Sequence, residues 1–150
     1  MKQVKAIPKL VFDKNFTDKE FKYYDYACFI SILDIDNNEQ KFDKSIDNFL
    51  QVKMWDIEED LFENGELKYE KPNDNELKNI VDFINKHKDK SVFIIHCSAG
   101  ISRSGAVATF LYDKFLSEID KEQFRRENKY IRPNLYILNR LKSLDTVVLE

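Results

Sequence analysis

Ten consecutive residues concentrate the chemistry of this chain: His96-Cys97-Ser98-Ala99-Gly100-Ile101-Ser102-Arg103-Ser104-Gly105. Only three glycines occur in 150 residues, and two of them, Gly100 and Gly105, fall in this window. Glycine is needed where backbone turns sharply or approaches another group closely, so the window demands a special backbone. A tight loop that opens a helix offers several backbone N–H groups and the positive end of the helix dipole. That combination suits a phosphate-sized anion. The same field favours a thiolate over a thiol, which makes Cys97 a candidate nucleophile. Arg103 follows six residues later, and a guanidinium grips two phosphate oxygens at once where lysine cannot. The intervening Ser98–Ser102 are enough to wrap a loop round one phosphoryl group with the sulfur at its base. A plain core cysteine is the commoner use of the residue at a strand end, but it leaves Gly100, Arg103 and Gly105 at these spacings unexplained.

The elements that must position this loop are legible on either side. Ser91–His96 is a continuous apolar run of the kind found in a central strand buried on both faces. The loop therefore stands at the carboxyl end of a strand, where open α/β sheets bind ligands. Downstream, Ser102–Ser117 carries a helical stripe of Ala106, Val107, Phe110, Leu111 and Phe115. Upstream, Lys5–Phe12, Tyr24–Ile35 and Asn48–Trp55 read as strands, rich in aromatic and β-branched residues. Asp56–Lys71 is polar and acidic with an Asn64–Gly65 turn signal, and reads as a loop. Asn73 and Glu76 form a capping pair before Leu77, Ile80, Val81 and Ile84, one face of a helix. A short helix is expected over Asp120–Asn128. A last one is expected over Pro133–Leu144, with Pro133 in its first turn and Leu135, Leu138 and Leu141 on one side. Strands interleaved with helices give an α/β class: a central, largely parallel sheet flanked by helices, in one domain spanning residues 1–150.

Composition narrows the function classes. The net charge is −3, from 24 basic and 27 acidic residues, so neither nucleic acid nor an anionic membrane is an expected partner. No apolar run approaches the length of a membrane helix, and the first twelve residues show no apolar leader segment or cleavage site. Two cysteines, Cys28 and Cys97, make no disulfide framework and fit a reducing, cytoplasmic setting. Two cysteines and two histidines without paired spacing supply no metal site.

The Cys-x5-Arg loop, with a histidine before it, a central glycine and a serine after the arginine, resembles the signature of the cysteine-dependent protein tyrosine phosphatase superfamily. The shortness of the chain is similar to its compact dual-specificity branch. Arg132-Pro133-Asn134 before the last helix resembles a segment of those domains, and the order of elements from Asn48 to Leu144 matches as well. The resemblance implies that Cys97 is the nucleophile and Arg103 the phosphate-gripping residue. Ser98, Ala99, Gly100, Ile101 and Ser102 would supply loop amides. Ser104 would bond the sulfur and ease its departure, and His96 would order the loop. A general-acid aspartate is implied on a separate upstream loop. Asp56, after Trp55 and 41 positions before Cys97, is the first candidate. Asp60 is its chief rival, with Glu58 and Glu59 behind. The Trp-Pro-Asp of the larger tyrosine-specific members lacks its proline here. The implied reaction is two-step phosphoryl transfer without metal or organic cofactor.

The remaining reactive residues read as structural. Cys28 sits among Tyr26, Phe29 and Ile30 as a core residue. His87, between Lys86 and Lys88, reads as solvated surface. Asn134 reads as a helix-start residue that could also buttress the loop, and Arg125, Arg126 and Arg132 as charged helix surface. Lipid-directed members carry lysines inside the loop, whereas Ser98, Ala99, Ile101 and Ser102 are uncharged. RNA 5′-triphosphatase relatives also differ there, so a phosphorylated protein is the expected substrate. No tyrosine-recognition segment is evident, and a shallow pocket admits phosphotyrosine and phosphoserine or phosphothreonine alike. The alternatives are a non-catalytic phosphate-binding module, or a phosphatase for RNA 5′-phosphate or phosphoinositide. Oligomeric state is not legible in the sequence.

Overall fold

The computed structural model describes residues 2–16, 24–39 and 46–145. Four parallel strands, β1 (Gln3–Pro8), β2 (Ala27–Leu33), β3 (Phe49–Lys53) and β6 (Val92–Cys97), form one sheet in the order β1-β6-β2-β3. Because all four run the same way, their carboxyl ends open on a single edge of the sheet. Pro8 pairs with Cys97 there, and the segments that follow Leu33 and Lys53 emerge beside them.

The central strands are buried on both faces, as their unbroken apolar sequence requires. Cys28, Ile30 and Ile32 of β2 and Phe93, Ile95 and Cys97 of β6 join the main core. Its other side is built by α2 (Asp74–Lys86), α3 (Arg103–Phe115) and α5 (Leu135–Asp145). The opposite face is smaller. Ala27, Phe29 and Ile94 pack there against Phe12. A short 3-10 turn (Glu118–Asp120) and α4 (Lys121–Glu127) lead from α3 towards α5. The capping bond foreseen for α2 is present, with Asn73 accepting from the Glu76 N–H at 2.9 Å.

Three expectations are corrected. The strand expected over Lys5–Phe12 stops at Pro8, and α1 (Lys9–Asn15) follows. In a helix only Phe12 need face the sheet. It is fully buried while Leu10 is 80% exposed, and a Lys9–Asp13 pair at 2.7 Å adds an i,i+4 contact. The stretch read as a loop, Asp56–Lys71, contains an antiparallel hairpin of β4 (Leu61–Glu63) and β5 (Glu66–Tyr69). Asn64 and Gly65 both have positive φ, 54° and 81°, the requirement of a tight hairpin turn. In α5 the buried residues are Ile137, Leu138 and Leu141, and Leu135 is 58% exposed. The helix starts at Leu135, after Pro133 rather than on it.

His87 corrects a fourth. It is 5% exposed rather than solvated, with its ring 4.5 Å from that of Phe83. Its Nε2 lies 4.0 Å from Asp47 and has no hydrogen-bond partner. Burial pushes its pKa below the ordinary histidine value, against the opposing pull of Asp47 and with the help of Lys86 and Lys90. The folded state therefore resists a proton that the unfolded chain accepts. The stability His87 confers is complete above the unfolded pKa of about 6.5 and is lost as pH falls below it. Thermal midpoints measured from pH 8 to pH 5.5 should decline, and the decline should be shallower in His87→Gln.

Candidate active site

Cys97 ends β6 and is nearly buried, its side chain facing the main core. Its Sγ lies 3.1 Å from the Ser104 hydroxyl and accepts the Ser104 N–H at 3.4 Å. Ser104 stands in the first turn of α3, so the sulfur sits at that helix's amino end, where the dipole favours negative charge. Ser98–Ser102 arch between the two elements. Gly100 has φ 73°, and a Cβ there would come within 2.5 Å of Ile7 C and Pro8 N. The loop can thus close against the end of β1 only with glycine at this point. Lys9 donates its N–H to Ser98 O at 3.2 Å, fastening the loop's first residue to the same strand end.

Arg103 is 4% exposed and its guanidinium reaches across three strand ends. Nη1 donates to Asp34 Oδ1 and to Met54 O, both at 2.7 Å. Nη2 donates to Ser98 Oγ at 3.0 Å. Its buried Nε has no acceptor among the described residues. A buried donor left unmet is costly, and a phosphoryl oxygen in the loop would meet it. The residues present therefore fit an anion of that size.

Asp56 follows β3 and reaches the same loop. Its Oδ1 accepts from Ser102 Oγ at 2.7 Å and from Asn134 Nδ2 at 3.0 Å. No bond to Oδ2 occurs among the described residues. Ser102 is the N-cap of α3, yet its hydroxyl makes no capping bond and turns to Asp56 instead. Asn134 combines the two roles weighed for it. Its Oδ1 caps α5 by accepting the Ile137 N–H at 3.0 Å, a bond of about 1 kcal/mol, while its Nδ2 also donates to Ile57 O at 3.1 Å. Glu58, a rival for the acid, accepts the N–H groups of Leu135 and Tyr136 at 3.1 and 3.3 Å. Asp60 accepts the Lys71 N–H at 2.9 Å, closing the base of the hairpin. Of the four acidic candidates, Asp56 bonds the phosphate loop directly.

The family model for protein-tyrosine phosphatases matches residues 11–132. The chain belongs to the protein-tyrosine phosphatase family. Among solved structures, human DUSP28 matches with a TM-score of 0.54 and 12% identity over 95% of this chain and 90% of that one. DUSP15 matches with a TM-score of 0.51 and 14% identity over 98% and 85%. PTPMT1 matches at 0.50 and 16% over 95% and 89%. These likenesses establish the compact, dual-specificity-type phosphatase fold. A search of curated proteins finds no match.

Within that phosphatase fold, His96 lies on the α1 face, opposite Cys97. Its ring centroid is 4.3 Å from that of Phe12, its Nε2 is 2.6 Å from Ser31 Oγ, and its Nδ1 is 3.3 Å from Cys97 O. A carbonyl only accepts, so Nδ1 carries the proton and Nε2 accepts from Ser31. Cys28 is a core residue as expected, and burial pushes its thiol up to about 12. Arg125, Arg126 and Arg132 are exposed. Arg132 donates its N–H to Ile101 O at 2.9 Å, which brings that one to the rim of the loop. Sequence reasoning missed Asp34. Its signal was a carboxylate at the end of a strand parallel to β6, hidden because the strand was read through to Ile35.

Gly100→Ala tests the close approach. A positive φ costs alanine more than about 1 kcal/mol, and the clash with Ile7 and Pro8 adds to it. Urea unfolding should show that loss, and inorganic phosphate should raise the midpoint of the wild type but not that of the variant.

Proposed function

We propose that this phosphatase-family chain, residues 1–150 acting as one domain, is a protein phosphatase. It hydrolyses phosphotyrosine, and phosphoserine and phosphothreonine as well, through a phosphocysteine intermediate. The observation that carries the proposal is the pairing of Cys97 with Arg103 across one loop. The sulfur is bonded twice by Ser104, and a guanidinium fixed by three of its five N–H groups leaves its buried Nε and one Nη2 hydrogen for a ligand.

Cys97 attacks phosphorus in line, and a sulfur–phosphorus bond forms as the ester oxygen leaves. Asp56, aligned by Ser102 and Asn134, delivers the proton to that oxygen from Oδ2. Arg103 and the amides of Ser98, Ala99, Gly100, Ile101 and Ser102 hold the charge of the equatorial oxygens without rearrangement. In the second step Asp56 takes a proton from water. Water attacks phosphorus, and the bonds from Ser104 stabilise the departing sulfur. His96 and Asn134 position these groups without touching the substrate. Each step balances without a metal or organic cofactor. The uncharged side chains of the loop support a phosphoprotein over a phosphoinositide or an RNA 5′-phosphate. The two free, buried cysteines support a reducing, cytoplasmic setting.

The test is phosphate release from p-nitrophenyl phosphate and from phosphopeptides in the presence of a chelator. Wild type should turn over both, and Cys97→Ser neither, because an alcohol does not ionise there. Arg103→Lys should lose nearly as much kcat/KM as Arg103→Ala, since a point charge cannot replace the fork. A lysine variant within a few-fold of wild type would remove Arg103 from its role. Binding of phosphate without turnover by the wild type would favour the non-catalytic module.

The acid is tested separately. p-Nitrophenolate leaves almost unaided, whereas an alkyl or peptide oxygen needs a proton. Asp56→Asn should therefore lose more activity on a phosphopeptide than on p-nitrophenyl phosphate. Asp60→Asn, whose carboxylate bonds the base of the hairpin, should show no such difference. The reverse result would transfer the acid to Asp60.

A further inference from the structure

Among the described residues, the β4–β5 hairpin leaves apolar surface without a partner beside the site. Phe62 is 65% exposed, and Leu61 and Leu67 are also exposed. Phe62 and Leu67 are cross-strand partners, so they share one face of the hairpin. Leu67 lines a groove of about 700 Å³ whose walls include Asp60, Glu70, Lys71, Pro72, Tyr136 and Arg140. Two-stranded ribbons are marginal alone, and this one is anchored at its base, where the Trp55 and Tyr69 rings meet at 5.0 Å. The anchor joins the hairpin to the segment that carries Asp56. Asn134, which holds Asp56, stands two residues before Tyr136 of the groove wall. A ligand whose phosphate occupies the loop would thus lie against the groove's near end.

Charge decides what the groove takes. Residues 56–70 hold seven acidic residues and one lysine, in a chain whose net charge is only −3. That lysine, Lys68, is paired with Glu63. Arg140 is taken up by Asp74, at 3.1 and 2.8 Å. The Lys71 amine stands over the Tyr136 ring, 5.3 Å from its centre. Glu66 and Glu70 are exposed and have no ion-pair partner among the described residues. Exposed apolar side chains in so acidic a segment, with Glu70 at the groove, repel an anionic lipid surface or an RNA and attract a segment that is both basic and apolar.

We propose that this groove is the substrate-docking site of the phosphatase, and that it binds a basic, apolar segment flanking the phosphorylated residue of a protein substrate. The inference rests on the phosphatase reading of the Cys97 loop and adds the substrate class. Lysine or arginine of the substrate faces Glu70, and an apolar side chain lies on Leu67 and reaches Phe62 on the same face of the hairpin.

Two phosphotyrosyl peptides with a shared leucine, flanked by lysines or by glutamates, test it. At low salt the lysine peptide should show about tenfold higher kcat/KM, carried by KM, with the gap closing as salt rises. Glu70→Lys should close the gap, and Glu66→Lys, on the opposite face of the hairpin, should leave most of it. Phe62→Ser should weaken both peptides. Binding to Cys97→Ser, followed by the fluorescence of Trp55, should give the same order of affinities without turnover. Docking and turnover therefore fail separately. Equal binding of the two peptides overturns the docking site even if p-nitrophenyl phosphate is hydrolysed. Ordered binding with no hydrolysis by the wild type overturns only the reading of Cys97. Faster turnover of phosphoinositide vesicles than of either peptide, or dimerisation abolished by Phe62→Ser, would give the groove to another occupant and overturn the proposal.

Discussion

A buried guanidinium must be paired, and the pairing of Arg103 organises the whole carboxyl edge of the sheet. An unpaired charge at 4% exposure would be strongly destabilising. Its partners come from the segments that follow β2, β3 and β6: Asp34, Met54 and Ser98. Only a sheet whose strands all end on one edge can bring those three to one side chain. The parallel order β1-β6-β2-β3 is thus what makes the loop possible. The same clamp takes three of the five guanidinium N–H groups and leaves Nε and one hydrogen of Nη2, the pair that gives the site its demand for an anion.

Two cores hold that edge in place. The larger buries one face of β2 and β6 against α2, α3 and α5, and the smaller seals the other face with Phe12 of α1. The division runs through the two residues that end β6. Cys97 turns to the larger core and meets Ser104, while His96 turns to the smaller and meets Ser31 and Phe12. Strand alternation alone separates the reactive residue from the supporting one. On the helical side, Asp56 and Glu58 link the acid loop to the start of α5 and Asp56 to Ser102. Movement of one is therefore felt by the others.

Much of this was legible because the signals were local. The loop announced itself through glycine placement and the Cys–Arg spacing, α2 through its cap and stripe, and β6 through its unbroken apolar run. What stayed hidden depends on contacts distant in sequence. Asp34 differs from any strand-end aspartate only by facing Arg103, 69 positions away. Leu10 and Val11 look like strand residues until Phe12 is seen to be the one that packs. His87 looked solvated between lysines because its burial is supplied by Phe83 and the segment around Asp47. The hairpin was read as a loop, since its strands are short and exposed and lack an apolar alternation to betray them. Its place beside Asp56 shows only in the Trp55–Tyr69 contact.

The central claim is that Cys97 itself carries the phosphoryl group. Acid-quenching the enzyme during turnover of p-nitrophenyl phosphate, then mapping peptides by mass spectrometry, tests it directly. A phosphoryl group is expected on the sulfur of Cys97, present only while substrate is being consumed. A phosphoryl group on another residue, or sustained turnover with Cys97 never modified, would contradict it.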